Sequence, residues 1–241
     1  MKLAKLETLL GHRFEKPELL ERAVTHRSWA HERLKREPEE KIRGAENELL
    51  EFLGDSVLGL VIAEHLFAQD PYAAEGDLTL MKHRLVSTAT LAAIGERLDL
   101  GTYMRLGRGE ETSGGREKPQ LLANVVEAII GAVFLDSGYV AARDFVIHIF
   151  ADELKSVTPK SSVDYKTLLQ ERLQARKMAA PTYTLISTEG QPHDRTFHVE
   201  ANWAEGKASG SGRSIKAAEM MAASQALKAL DGNEAEPYDT P

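Results

Sequence analysis

From Leu3 to about Leu154 the apolar residues recur three and four apart, as in Leu19, Leu20, Ala23 and Val24, then Leu78, Met81 and Leu85, then Leu91, Ile94 and Leu98. That is the helical period, so this stretch is predicted to be nearly all helix. Breaks fall at Glu37-Pro38 and Asp70-Pro71. The glycine-rich, charged run from Gly101 to Gln120 is expected to be a long mobile loop, either touching a substrate or serving as a solvated connector. Ser156 to Val163 is short, polar and interrupted by Pro159, which marks a flexible linker and a domain boundary.

Beyond it the pattern changes. Tyr165, Leu168, Leu169 and Leu173 keep helical spacing, Thr182 to Ser187 and Arg195 to Ala201 alternate as strands do, and Trp203 to Ser211 supplies a third strand. Ala218, Ala222, Ala226 and Leu230 then place a small-residue face on a last helix, suited to close packing on a sheet. The fold class is therefore multidomain: an all-α domain over residues 1–155, a linker at 156–163, and an α+β domain of order α-β-β-β-α over 164–231. The tail 232–241 is acidic and Pro-containing and is expected to be disordered.

Composition narrows the chemistry. The 241 residues include no cysteine, which excludes disulfides, thiolate nucleophiles and Cys-ligated zinc. No signal-peptide pattern and no stretch of transmembrane length is read in the sequence, so no membrane partner and a cytoplasmic setting are expected. The net charge of −7 conceals an asymmetry: the balance is −6 over residues 1–159, +3 over 160–230 and −4 over 231–241. A mildly basic module thus follows an acidic one with carboxylates to spare for a divalent cation.

Those carboxylates concentrate in Asn47 to Ser56. On a helix Glu48, Glu51 and Asp55 share one face, while Leu50, Leu53 and Val57 form another that can be buried. Such a face is either simply solvated or offset by a hard cation. A second helix, Leu121 to Leu135, is apolar almost all round, yet Glu127 is embedded in it and Asn124 lies three residues earlier on the same face. A lone Glu there calls for a partner or a metal. Glu51, Asp55, Asn124 and Glu127 would together make an oxygen-lined cation site.

The run Asn47-Glu48-Leu49-Leu50-Glu51-Phe52-Leu53-Gly54-Asp55-Ser56 resembles the signature segment of the ribonuclease III family, with Leu49 where Arg is usual. Ala23 to Ser28, Glu75 to Leu78 and Leu122 to Asp136 resemble further segments of that family, in its order. The resemblance implies an endonuclease that hydrolyses double-stranded RNA with Mg²⁺, Mn²⁺ substituting. It also implies 5′-phosphate and 3′-hydroxyl products with short 3′ overhangs, and a role in processing ribosomal RNA precursors and structured transcripts. Carried over, it makes Glu51, Asp55 and Glu127 the catalytic and metal-binding acids and Glu48 and Glu75 auxiliary ones. Phe52, otherwise readable as a core aromatic, becomes a contact in a two-fold homodimer. Asn124 departs from the family's Asp, which implies weaker Mg²⁺ binding and leaves open a catalytically weak or inactive RNA-binding protein of the same fold.

The second module resembles the double-stranded-RNA-binding domain, beginning at Asp164-Tyr165-Lys166 and closing on Gly212-Arg213-Ser214-Ile215-Lys216. Such domains read A-form shape. Three segments are implied: Gln170 and Gln174 on the first helix, His193 in a strand-to-strand loop, and Arg213 with Lys216 at the start of the last helix. Ile215 stands where another Lys is common, which implies binding steeply dependent on low salt.

Overall fold

The computed structural model describes residues 2–162, 164–191 and 195–232. It divides into two compact units, residues 1–162 and 163–241. In the first unit helices run α1 (Lys2–Leu10), α2 (Pro17–Ala23), α3 (Arg27–Arg33), α4 (Glu39–Ala45), α5 (Glu48–Gln69), α6 (Glu75–Leu85), α7 (Thr88–Arg97), α8 (Arg108–Thr112), α9 (Pro119–Ile149), α10 (Ala151–Ser156) and α11 (Pro159–Ser162). The second unit runs α12 (Tyr165–Ala175), β1 (Thr182–Glu189), β2 (Thr196–Trp203), β3 (Gly206–Gly212) and α13 (Ile215–Gly232).

The helical period correctly marks an all-helical first unit. Its core gathers on α5 and α9, where Leu58, Val61 and Ile62 meet Val126, Ile129, Ile130 and Val133, and Leu91 and Ile94 of α7 close a third side. By length and composition α9 is apolar enough to cross a membrane, contrary to the sequence reading, but more than half of its most apolar stretch is buried within the protein. An inner helix touched on all sides needs no polar face.

Two loop expectations are overturned. The segment 156–163 contains α11, which packs on α6, so the first unit extends to Ser162 rather than ending at residue 155. The run from Gly101 to Gln120 folds into two 3₁₀ turns and α8 instead of remaining a loop. Its charges pair with one another: Arg116 grips Glu111 and donates to the carbonyls of Gly101 and Met104, and Lys118 pairs with Glu110. Arg105 stacks over Trp29 and bonds Glu21, and Ser28 accepts the Gly107 N–H, fastening the segment to α2 and α3.

In the second unit β1, β2 and β3 form an antiparallel sheet in that order, with a bulge in β1 between Leu185 and Ser187. Ala218, Ala222 and Ala226 are buried, and a Cβ on Gly210 would stand 2.1 Å from the Ala222 nitrogen, so α13 lies directly on β3. The tail 233–241 lies outside the described residues.

Gly138, with φ of 80°, breaks α9 into two arms. Just before it the Asp136 side chain is fully buried and accepts from Lys16 N at 2.8 Å, Glu15 N at 3.2 Å and Ser137 Oγ at 2.8 Å, with His12 Nε2 at 3.3 Å. Burial alone would raise this carboxyl; the Ser137 hydroxyl and the two backbone N–H groups outweigh it and hold the group below its ordinary value. Asp136→Asn should therefore cost about 2 kcal/mol, by loss of charge-assisted bonds. The carboxylate's contribution is complete above its unfolded pKa near 3.9 and is lost as pH falls through the lower folded value. Denaturant unfolding of parent and variant should accordingly show a gap at neutral pH that narrows below about pH 4; a constant gap would contradict the assignment.

Candidate active site

The site is built where α5 and α9 cross, and glycine makes the crossing close. A Cβ on Gly54 would lie 1.8 Å from the Glu127 carbonyl oxygen, and one on Gly131 2.3 Å from that of Leu50. Neither glycine can carry a side chain unless the helices move apart. The contact of Gly54 with the turn at residue 127 sets Glu51 and Asp55, which flank it on α5, beside Glu127 on α9.

The electrostatics agree. Burial first, then the charges of Asp55 and Glu51, push the Glu127 carboxyl up to about 7. Glu51 is likewise raised, by burial and then by Glu48 and Glu46, while a hydrogen bond from Asn124 opposes the shift. Asp55 and Glu48 are exposed, and Glu48 is paired with Arg27 at 3.1 Å.

Asn124 does more here than its sequence position foretells. Its Oδ1 accepts from Gln120 Nε2 at 2.7 Å, so the side that meets Glu51 is its NH₂ group. In this rotamer the Asn124 NH₂ group, not its oxygen, is turned toward Glu51, so ligating a cation beside Glu51 calls for the amide to turn over. Among the described residues no three Asp, Glu or His side chains stand close enough to hold an ion as they are. The donor set nonetheless fits a hard dication: Glu51, Asp55 and Glu127 offer oxygens whose repulsion such an ion would relieve.

Glu75 is not brought to this cluster within the chain. It opens α6, is exposed, and accepts from Thr79 of its own helix at 2.9 Å. Phe52 is 76 % exposed and continues along α5 with exposed Leu49, Leu60 and Phe67, so it is no core aromatic.

The sequence reading missed Glu46. It is 3 % exposed, and its carboxylate accepts the Glu48 N–H at 2.9 Å at the start of α5. Burial raises this carboxyl and that N–H lowers it. An acid just ahead of a helix's first turn was the available signal, since helix N-termini attract anions.

In the second unit a cleft of about 560 Å³ opens between α12, β1 and α13 and brings Gln170 and Lys216 together with Tyr183 and Ile215. Asp164 caps α12 and Ser214 caps α13, fixing both helix starts. Gln174 is exposed on α12, and Arg213 lies one residue before the Ser214 cap of α13. His193 lies outside the described residues.

Comparison with known proteins bears on both units. The ribonuclease-III-like family model matches residues 16–154, and the double-stranded RNA binding motif matches residues 165–230. The chain is 45 % identical over 232 residues to a protein named Ribonuclease 3 of Syntrophotalea carbinolica, covering 95 % of this chain and 97 % of that one. It is 47 % identical over 232 residues to the Ribonuclease 3 of Bordetella petrii, covering 95 % and 87 % respectively. Among solved structures, the nuclease domain of ribonuclease III from Campylobacter jejuni superposes with a TM-score of 0.57 at 37 % identity, covering 65 % of this chain and 99 % of that one. A second structure of that domain, described for flexibility in a region involved in dimer formation, gives 0.56 at 36 %, covering 64 % and 99 %.

The crossing predicts its own failure. Gly54→Ala should destabilise the first unit by roughly 2–3 kcal/mol through overpacking, and should abolish catalysis even at temperatures where the chain stays folded. Circular dichroism melts with activity measured well below the transition check this; a stable, active variant would show that the two helices need not touch.

Proposed function

This chain belongs to the ribonuclease III family, and we propose that it cleaves double-stranded RNA with Mg²⁺ held among Glu51, Asp55 and Glu127, Mn²⁺ substituting. The observation that carries this reading is the meeting of three acids from two helices at a glycine crossing, with Glu127 raised to about 7 by burial and its neighbours. Mg²⁺, when bound, lowers the pKa of a ligated water and neutralises charge on the phosphate. Glu127 must give up its proton to serve as a ligand, so metal affinity and protonation oppose each other at this residue. Glu51, itself raised by burial and by Glu48 and Glu46, stands beside that site and likewise favours an ion that would offset those charges, and Glu48, on the outer edge, is held by Arg27.

The reading extends to products with 5′-phosphates and 3′-hydroxyls, to ribosomal RNA precursors and structured transcripts as substrates, and to a cytoplasmic setting. The second unit holds the duplex by its shape, with Gln170, Gln174 and His193 toward minor grooves and Arg213 and Lys216 on phosphates. Glu75 serves as an auxiliary acid from outside the cluster. Two protomers joined through the exposed Phe52 face would present one site to each strand and so stagger the cuts.

The test is end-labelled duplex RNA incubated with Mg²⁺ at low salt. The parent chain should yield discrete short duplexes, and Glu127→Gln should bind without cutting. Asn124→Asp should lower the Mg²⁺ concentration needed, by supplying a further negative oxygen ligand. An inert parent chain would refute the assignment, and an unchanged Mg²⁺ requirement would refute the role of Asn124. Separately, sedimentation at micromolar concentrations should give a dimer for the parent and monomer for Phe52→Asp; a monomeric parent would exclude the two-site arrangement.

A further inference from the structure

Lys82, on α6, lies over the catalytic helix. Its Cε and Nζ are each 3.7 Å from where a Cβ of Gly59 would stand. Gly59 follows Asp55 by one turn of α5 and Glu51 by two, and each turn advances about 5.4 Å along the axis. The lysine therefore reaches α5 one turn from Asp55 and two turns from Glu51, its end at van der Waals distance from where a side chain at position 59 would begin.

Lys82 is half-buried and forms no salt bridge among the described residues. Cations elsewhere around the site are engaged: Arg27 with Glu48 at 3.1 Å and Lys118 with Glu110 at 2.5 Å. An ammonium without a carboxylate partner is free to take an anion, and its three N–H donors suit a phosphate oxygen. Beside a row of acids whose task is to receive a phosphodiester, the anion chemistry at hand is another phosphate of the same strand.

We propose that Lys82 is a positioning residue, holding an RNA phosphate that neighbours the scissile one and so fixing the register of the strand across Glu51, Asp55 and Glu127. This rests on the nuclease reading above. Lys82 touches no reacting atom; it sets where the strand lies. A packing role alone would depend on the aliphatic stem over Gly59, which methionine reproduces, whereas phosphate binding depends on the charge, which arginine restores.

The full chain, its Lys82→Met variant and its Lys82→Arg variant should be titrated against a fluorescent duplex RNA, with a chelator present to prevent cleavage, across a series of KCl concentrations. Lys82→Met should weaken binding roughly three- to tenfold and make the plot of log affinity against log salt shallower by about one unit per protomer. Lys82→Arg should match the parent. If Lys82→Met loses helical circular dichroism, Lys82→Gln replaces it in the same titration. Parent-like affinity and salt slope in the uncharged variant, with the parent binding and cutting normally, overturn the Lys82 assignment alone. A parent chain that neither binds nor cuts duplex RNA overturns the nuclease reading and this proposal together.

Discussion

The close crossing of α5 and α9 is the constraint on which the first unit depends. Helices normally pack 8–10 Å apart because side chains stand between them. At Gly54 and Gly131 there are none, so backbone meets backbone and the sliding freedom of the pair is removed. Carboxylates repel, and a looser scaffold would relax by drawing them apart. Here Glu127 is tied to the turn that presses on Gly54, and Glu51 and Asp55 flank that same glycine, so burial and, after it, the repulsion appear as a displaced protonation equilibrium instead of as movement. The apolar burial of Leu58, Ile62, Ile129 and Val133 around the crossing opposes the electrostatic cost.

Much of this was legible beforehand because it follows from periodicity. Spacings of three and four marked the helical unit, alternation and an alanine face marked the sheet and its covering helix, and an acid in an apolar helix singled out Glu127. What escaped depended on partners distant in sequence. Nothing local shows that Arg116 turns inward to the carbonyls of Gly101 and Met104, so the composition of the run from Gly101 points to a mobile loop that the structure does not contain. The short α11 was hidden by polar residues and Pro159, though proline suits a helix's first turn. Asn124 was visible as an oxygen donor, but only Gln120, one turn earlier, reveals which end of its amide faces Glu51.

The sequence also conceals how the signature helix begins. Asn47, buried, donates its backbone N–H to Thr25 O at 3.0 Å and its side-chain amide to Ala23 O at 3.4 Å. Arg22 bonds the Glu46 carbonyl beside it at 2.9 Å. Two motifs some twenty positions apart are thus one physical junction.

That junction makes the intervening stretch, α3 and α4, a loop closed at its neck. The entropy of closing such a loop rises only slowly with its length, and Glu37, Glu40 and Lys41 on its outer edge are exposed. Insertions or grafted peptides there would lengthen the loop without shifting the register of α5, whereas a single residue added between Glu46 and Glu51 would turn the junction and the acids out of step with each other by about 100°. The molecule therefore carries, within a few residues of each other, a place where evolution can improvise and a place where it cannot.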